Sequence, residues 1–255
     1  MQSLSSKKYK NRFVSHFPGD KSGNLAPRQT PGVLYSKAIP SPVRQPKLLA
    51  WSEELAGELS IKKPSGEDLQ ILAGNKITAS MKPYAACYGG HQFGNWAGQL
   101  GDGRAITLGE WETEKCKWEL QLKGAGPTAY SRSADGRAVL RSSVREFLIS
   151  EGMFHLGVPT TRALSLVSTG EEILRDMFYD GHPEYEPGAI VARAAPSFLR
   201  FGNFEILAAR NETELLKQLV DWTIEQYEPQ LQGKTKIIDW FREVVRKTAF
   251  LMSEW

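Results

Sequence analysis

Residues 89–110, GGHQFGNWAGQLGDGRAITLGE, contain a dense group of glycines followed directly by an apolar run. Glycine loses more backbone freedom on folding than any other residue, so this density indicates tight turns or a backbone that comes close to a neighbouring group. The glycines are Gly89, Gly90, Gly94, Gly98, Gly101, Gly103 and Gly109. Residues 101–104, GDGR, add an aspartate and an arginine, and we refer to them as the glycine turn.

Two strands are predicted directly after the glycine turn, Ala105–Trp111 and Cys116–Lys123, joined by the charged turn ETEK (112–115). Apolar and polar residues alternate along the second strand, which is typical of a strand with one buried face. Because a strand and not a helix follows the glycine turn, the segment fits poorly to a Rossmann or Walker-type phosphate cradle.

The clearest helix is predicted over Ala138–Leu156, after the loop of residues 123–137. Its apolar residues recur at helical spacing. Asp135 suits the N-cap of this helix, and Gly157 with Pro159 suits its end.

A glycine turn, a strand that ends in Lys123 and a helix that carries Glu146 follow one another in the order of kinase-like nucleotide-binding lobes. In such lobes the N–H groups of the turn lie over phosphates, the strand lysine contacts those phosphates and the helix glutamate orients the lysine. Each part also has a simpler explanation: the glycines form a loop, Lys123 is solvated, and Glu146 pairs on its own helix. The order predicts an α+β, protein-kinase-like fold with an N-lobe sheet and flanking helices.

Two arginines in RAAPSFLRFG (193–202) add to a possible anion site, because guanidinium groups bind phosphate oxygens through two parallel hydrogen bonds. Either one could instead be an ordinary surface arginine. Asp135 and Gly136 could present a helix N-terminus to a phosphate, or Asp135 could contact a ligand hydroxyl or amine or orient a neighbouring arginine. The candidate nucleotide-binding residues are Gly101, Gly103, Arg104, Lys123, Asp135, Gly136, Arg193 and Arg200.

The remaining sequence predicts an extended, Pro- and Ser-rich arm, several strands and further helices. The arm is residues 1–46, helices are predicted over 47–58, from Ser65 to near Gly74, over Thr213–Tyr227 and over Lys234–Glu254, and strands over Ala163–Ser168, Glu172–Phe178 and Ala189–Ala195.

Three units are expected: the arm (1–46), a kinase-like nucleotide-binding lobe (47–212) and the start of a helical C-lobe (213–255). The last helix has an apolar face that requires a packing partner. We therefore interpret the chain as truncated, with most of the C-lobe missing.

Composition excludes several function classes. The net charge of +3 comes from 32 basic and 29 acidic side chains, which is too balanced to predict nucleic-acid or membrane binding. No apolar run approaches the roughly 20 residues of a membrane-spanning helix. Two cysteines and four histidines without ligand spacing predict no metal site in this chain. A cytoplasmic location is expected, with a mitochondrial one as the alternative.

Four long motifs resemble the selenoprotein O family: YGGHQFGNWAGQLGDGR (88–104), LQLKGAGPTAYSRSADGRAVLRSSVREFLISE (120–151), LGVPTTRALSLV (156–167) and ARAAPSFLRFGNFE (192–205). The resemblance covers the chain from about Pro46 to its end. It implies a pseudokinase-like protein adenylyltransferase that binds ATP in an inverted orientation and transfers AMP to Ser, Thr or Tyr hydroxyls of target proteins with Mg²⁺ or Mn²⁺. It further implies that the eight candidate residues contact the nucleotide and that Glu146 pairs with Lys123.

The resemblance also implies a proton-accepting Asp, a metal-binding Asn and a second metal-binding Asp in a C-terminal segment, and no such pattern precedes Trp255. We therefore expect little or no transferase activity from this chain alone. The alternatives are a catalytically inactive nucleotide-binding fragment and a kinase-like phosphotransferase. The expected partners are protein substrates, without nucleic acid or membrane, and the expected state is a monomer.

Overall fold

The computed structural model describes residues 1–114 and 116–255. Its main feature is a large, mostly antiparallel sheet with helices packed against it. Lys115, the last residue of the predicted ETEK turn, lies outside the described residues. The strands are β1 (Gly19–Asp20), β2 (Tyr35–Lys37), β3 (Lys47–Trp51), β4 (Tyr84–Ala86), β5 (Gly89–Gln92), β6 (Asn95–Gln99), β7 (Ala105–Glu112), β8 (Lys117–Lys123), β9 (Ala138–Val139), β10 (Arg162–Arg175) and β11 (Glu184–Ala195). The helices are α1 (Arg12–His16), α2 (Glu53–Glu58), α3 (Glu67–Leu72), α4 (Leu140–His155), α5 (Phe201–Ala209), α6 (Thr213–Tyr227) and α7 (Lys236–Glu254). The predicted α+β class is confirmed.

The strand order of the main sheet in the described residues is β1-β2-β4-β7-β8-β11-β10-β3, and β9 pairs with β11 outside this path. β1 and β2 are parallel, and the other neighbours are antiparallel. β5 and β6 form a separate hairpin. β8 therefore lies in the middle of the sheet, next to β7 and β11.

Helix α4 covers one face of the sheet, and the main apolar core lies on the other. Side chains alternate between the faces of a strand, so Val191 of β11 packs in the small core beneath α4 while Ile190 and Ala192 join the main core. Leu120 and Leu122 of β8 also belong to the main core. The polar residues of β8 consequently face the side of α4.

The alternating pattern of β8 predicted one buried face, but both faces are buried. Glu119 and Gln121 are 8% and 0% exposed. The polar face is covered because the segment before α5 lies against Glu119 and a network of polar side chains lies against Gln121. Alternation identified the strand correctly, but it could not distinguish a solvated face from a buried polar one.

The helix predicted over residues 47–58 is wrong in its first half. Residues 47–51 form β3, an edge strand in which Lys47 and Trp51 pair with Ser168 and Ser165 of β10. Helix α2 begins only after Ser52, whose hydroxyl accepts a hydrogen bond from the Leu55 N–H at 3.3 Å. Pairing with a distant strand has overridden the local helical spacing.

The two predicted strands 163–168 and 172–178 are one strand, β10, which ends at Arg175 and has irregular register between Ser168 and Glu172. Strand β11 begins five residues earlier than predicted. The bounds predicted for α6 agree with the structure. Those predicted for α3 and α7 agree to within two residues at both ends.

Helix α4 begins at Leu140 and not at Ala138, so Asp135 does not cap it. Residues 138–139 pair with Gly188 and Ala189 as β9, and this pairing delays the first helical turn. The predicted end is correct, since Gly157 has a φ of +86° and its N–H bonds to the Phe154 carbonyl at 2.9 Å.

Residues 1–46 contribute β1 and β2 to the sheet and bury apolar side chains such as Leu4 and Phe13 against the rest of the chain. No residue of helix α7, in contrast, is fully buried. The division into three units stays a prediction. Within the described residues, no helix combines the length and the apolar character needed to cross a bilayer.

Gly202 in the first turn of α5 allows an unusually close backbone contact. A Cβ at this position would lie 1.9 Å from the Gly89 carbonyl oxygen, whereas a Cβ at Gly152 in α4 would meet nothing within 4 Å. We expect Gly202→Ala to lower the free energy of unfolding by about 1–3 kcal/mol, because backbone must move. Gly152→Ala should raise it by roughly 0.5–1 kcal/mol through its helix propensity. Urea unfolding measures both, and equal stability of the two variants would contradict the contact.

Candidate anion-binding site

A cavity of about 830 Å³ lies between the glycine turn, the end of β8, residues 131–137 and the segment that leads into α5. All eight residues proposed from the sequence as nucleotide contacts line this cavity. They come from positions as far apart as 101 and 200. The fold therefore brings together residues whose proximity the sequence did not show. Their role in binding stays a prediction.

The cavity carries a strong local positive charge. Its basic side chains are Arg104, Lys123, Arg132, Arg137, Arg175, Arg193 and Arg200. Among the described residues, two carboxylates line it, those of Asp102 and Asp135. A concave surface with such an excess of one sign of charge concentrates ligands of the opposite sign, although the chain as a whole is close to neutral.

Lys123, Glu146 and Arg193 form a compact ion-paired group at one wall of the cavity. The Lys123 Nζ lies 2.6 Å from Glu146 Oε2, and the Arg193 Nη1 lies 3.2 Å from Glu146 Oε1. The register of β8 and β11, in which Gln121 is opposite Arg193, puts both cations on the face covered by α4. One glutamate therefore orients a lysine and an arginine together.

Burial affects the titration of both cations. It lowers the pKa of Lys123 below its usual value, while the Glu146 carboxylate opposes this effect. Burial also lowers the pKa of Arg193, and here too the Glu146 carboxylate has the opposite effect. Both groups have lost much of their water, so an anion that reached them would interact more strongly than at an exposed site.

Arg200 is held at the start of α5. Its N–H bonds to the Asn203 side-chain oxygen at 2.7 Å, and the Asn203 amide donates to the Cys87 carbonyl at 2.8 Å. The Arg200 guanidinium lies 4.7 Å from the centre of the Tyr88 ring. Asn203 thus fixes the start of the helix, and with it Arg200, against the segment that precedes the glycine turn.

The close approach that the glycines predicted is to the chain itself. Gly101 has a φ of +77°, and a Cβ there would lie 2.4 Å from the Tyr130 ring. A Cβ at Gly103 would lie 2.8 Å from the Tyr130 carbonyl oxygen. The turn is therefore rich in glycine because residues 128–131 pack directly on it.

The N–H groups of both glycines in the turn are already hydrogen bonded within the chain. Gly101 donates to the Tyr88 carbonyl at 3.1 Å, and Gly103 donates to the Gly101 carbonyl at 3.0 Å. The expectation that these two amides lie free over phosphates is wrong for this structure, because they hold the turn in shape. The donors that remain around the cavity are those of side-chain cations.

Asp135 binds an arginine and does not start a helix. Its two oxygens accept hydrogen bonds from Arg175 at 2.8 Å each, and Oδ1 also accepts the Arg137 N–H at 2.9 Å. Burial would raise the pKa of Asp135, but these hydrogen bonds bring it below its usual value. Gly136 follows with a φ of +67°, and a Cβ there would lie 2.1 Å from the Gly126 oxygen.

Sequence reasoning missed several residues around the cavity, among them Asp102, Gln121 and Arg175. Gln121 could have been found, because it lies two positions before Lys123 on the same face of a predicted strand. Asp102 was visible inside the glycine turn, but nothing in the sequence indicated its burial. The contact of Arg175 with Asp135 joins residues 40 positions apart and left no local signal.

No group of three or more His, Cys, Asp and Glu side chains in residues 1–114 and 116–255 is arranged to hold a metal ion. The two carboxylates that line the cavity both lie against arginines, Asp102 against Arg200 and Asp135 against Arg175.

Comparison with known proteins gives a consistent answer. The family model described as "Protein adenylyltransferase SelO" matches residues 28–255. The chain is 59% identical over 256 residues to the protein nucleotidyltransferase YdiU of Cytophaga hutchinsonii, which covers 100% of this chain and 50% of the relative. It is similar to the proteins of the same name from Nitrosospira multiformis (59% identity, 97% of this chain, 45% of the relative) and Aromatoleum aromaticum (58%, 96% and 49%).

The chain thus spans about half the length of the curated relatives that it matches. The family match, in contrast, extends over most of this chain and includes the glycine turn, β8, α4 and both arginine positions of the cavity. The chain belongs to the SelO family of protein adenylyltransferases.

Proposed function

We propose that this chain binds ATP in the cavity and forms the nucleotide-binding part of an enzyme that transfers AMP to Ser, Thr or Tyr hydroxyls of target proteins. The observation that carries the proposal is the convergence of three cations on one cavity. Lys123 and Arg193 share the Glu146 carboxylate, and Arg200 lines the same space. Family membership supports nucleotidyl transfer as the general kind of reaction.

The three cations suit a triphosphate for electrostatic reasons. A triphosphate carries several negative charges in a short chain, and hydrogen bonds between ionised partners are roughly twice as strong as neutral ones. Arginine contributes a planar fork for two phosphate oxygens, while lysine contributes a compact charge. In this proposal Glu146 orients Lys123 and Arg193, and all three cations hold the phosphates in place for the reaction.

The arrangement of the parts supports a kinase-like lobe. The glycine turn precedes β7, the lysine ends β8, and the glutamate that pairs with it comes from α4. This is the arrangement by which protein kinases position a phosphate-binding lysine. We propose the kinase-like architecture on this ground, and the free thiols of Cys87 and Cys116 support a reducing compartment such as the cytoplasm.

Mg²⁺ or Mn²⁺, when bound with the nucleotide, would neutralise part of the phosphate charge. The described residues of this chain do not offer a fitting set of ligands. Asp102 accepts the Ala86 N–H at 3.2 Å and lies beside Arg200, and Asp135 is bonded to Arg175. We therefore assign no step of the reaction to a metal held by these residues.

The same carboxylates favour a second candidate function, that of a nucleotide-binding unit without chemistry of its own. Each cavity carboxylate is engaged by an arginine, so neither is placed to accept a proton from an attacking hydroxyl. We expect the 255-residue chain to bind ATP without robust AMP transfer. Mass spectrometry of a protein mixture incubated with the chain and ATP tests this, and it also separates added AMP from the added phosphate that a kinase would leave. Robust AMP transfer would rule out the second candidate.

Replacement of Lys123 tests the binding proposal. We expect Lys123→Ala to weaken ATP binding by roughly 10- to 100-fold, because a charge-assisted contact is lost. Lys63→Ala is the matched control, since Lys63 is 67% exposed and pairs only with Glu53 at the surface. Calorimetric titration of ATP measures both. Absence of ATP binding by the unmodified chain, or equal affinities of the two variants, would contradict the proposal.

A further inference from the structure

Asp102 is a buried carboxylate at the centre of the glycine turn. It is 2% exposed. Its Oδ2 accepts the Ala86 N–H at 3.2 Å, and its Oδ1 lies 3.5 Å from the Arg200 Nη2. The turn, strand β4 and the start of α5 therefore meet at one side chain.

Arg200 has donors to spare after these contacts. Its Nη1 donates to the Phe198 carbonyl at 2.9 Å, and its Nη2 lies beside Asp102. The guanidinium carbon lies 4.7 Å from the centre of the Tyr88 ring. A guanidinium has five N–H donors, so most remain for a ligand. Its side chain is 35% exposed and lines the cavity. Asp102 and the Phe198 carbonyl thus hold one side of the Arg200 guanidinium, and the other side is exposed to the cavity.

Gln121 connects Asp102 to the second arginine. It is completely buried, and its Oε1 accepts a hydrogen bond from the Arg193 Nη2. Its Nε2 donates to the Thr107 hydroxyl at 3.1 Å and reaches Asp102 Oδ2 at 3.5 Å. With the Glu146 pairs, a continuous polar chain runs beneath the cavity and joins its three main cations. Its members, in order, are Arg200, Asp102, Gln121, Arg193, Glu146 and Lys123.

A buried carboxylate at this position is not explained by stability alone. Removing an ionised group from water is unfavourable, and an apolar residue of similar size often replaces a buried ion pair without loss of stability. Burial raises the pKa of Asp102 despite the opposing effects of Arg200 and the Ala86 N–H. The Asp102 carboxylate instead fixes the orientation of the Arg200 guanidinium, which lies 3.5 Å from it.

We propose that Asp102 is a positioning residue, which aims Arg200 at the bound anion and, through Gln121, fixes the spacing between Arg200 and Arg193. This inference rests on the proposed binding of ATP. It assigns the aspartate of the glycine turn a role that does not involve contact with the ligand. Its effect on binding must therefore pass through Arg200.

A double-mutant cycle tests this dependence. ATP is titrated calorimetrically into the 255-residue chain carrying Asp102→Asn, Arg200→Ala or both. We expect Asp102→Asn to weaken ATP binding roughly three- to thirtyfold when Arg200 is present, and less than about twofold when it is absent. A second cycle with Lys123→Ala is the comparison, because Lys123 lies at the far end of the polar chain and has no direct contact with Asp102, so its coupling to Asp102→Asn should be clearly weaker than that of Arg200→Ala.

Each outcome decides the proposal. Equal weakening by Asp102→Asn in both Arg200 backgrounds, or unchanged affinity, would overturn the positioning role while leaving ATP binding intact. Absence of ATP binding by the unmodified chain would overturn the proposed function as well. If Asp102→Asn does not fold, as judged by thermal melting, Gln121→Met in cycle with Arg200→Ala replaces it, because Gln121 contacts Asp102 and reaches Arg200 only through that carboxylate. Multiplicative effects in that cycle would overturn the proposal.

Discussion

Replacing Arg193 with alanine is expected to weaken ATP binding by roughly 10- to 150-fold, one of the two largest effects that the structure predicts. The Arg193 side chain is only 12% exposed, so its charge acts in a poorly hydrated environment. Its loss would also leave Glu146 with one cationic partner in place of two. With only Lys123 to balance it, the Glu146 carboxylate would weaken the attraction of the cavity for phosphates further.

The matched control is Arg141→Ala. Arg141 also pairs with a glutamate, Glu186, through its Nη2 at 2.9 Å, but it lies on the surface and does not line the cavity. We expect its ATP affinity to be unchanged within twofold. Arg193→Lys should fall between the unmodified chain and Arg193→Ala, because lysine keeps the charge and loses the fork. Calorimetry measures all three, and equal affinities of the Arg193→Ala and Arg141→Ala variants would contradict the assignment of Arg193.

The second large effect concerns the pH dependence of stability and depends on Glu119. This residue is 8% exposed, and it accepts the Phe198 N–H at 3.2 Å and the Tyr227 hydroxyl at 3.4 Å. Burial, followed by the nearby Glu110 carboxylate, raises its pKa to about 8. The folded chain therefore retains a proton that the unfolded chain releases near the ordinary glutamate pKa of 4.5.

The sign of the effect follows from proton linkage. Between pH 4.5 and pH 8 the folded state binds more protons at Glu119 than the unfolded state, so the free energy of unfolding falls as pH rises through this range. The contribution is roughly 3–5 kcal/mol across the window, since one pKa unit corresponds to about 1.4 kcal/mol. Above pH 8 it should stay constant.

Glu119→Gln should remove this part of the pH dependence, because glutamine can still accept the Phe198 N–H and does not ionise. Relative to the unmodified chain, the variant should gain stability progressively from pH 5 to pH 8. Glu225→Gln, at an exposed position of α6, serves as the control and should leave the profile unchanged. Urea unfolding at several pH values measures the difference. A constant difference between Glu119→Gln and the unmodified chain across this range would contradict the assignment.

Local patterns predicted those parts of the fold in which one face or one period determines the structure. Strand β8 follows directly from alternation, and helix α6 from helical spacing. Local patterns gave the wrong structure where pairing with a distant strand decides the conformation. Residues 47–51 have helical spacing, yet they form β3 because β10 offers them an edge. Residues 138–139 lie within a helical pattern, yet they pair with β11.

The candidate site divides in a similar way. Residue chemistry was sufficient to propose Lys123, Arg193 and Arg200, because isolated cations near glycine turns and strand ends suggest anion binding. It could not show that the glycine amides are engaged within the chain, since this depends on the Tyr88 carbonyl and the packing of Tyr130. Nor could it show that Asp102 is buried, because that requires the approach of α5.

A crystal structure of this chain grown with ATP and Mg²⁺ would locate the bound phosphates. We expect a binding mode in which phosphate oxygens of one ATP molecule lie within hydrogen-bond distance of Lys123, Arg193 and Arg200, with the Lys123–Glu146 pair preserved. A nucleotide whose phosphates lie outside this cavity, or contact none of the three cations, would contradict it.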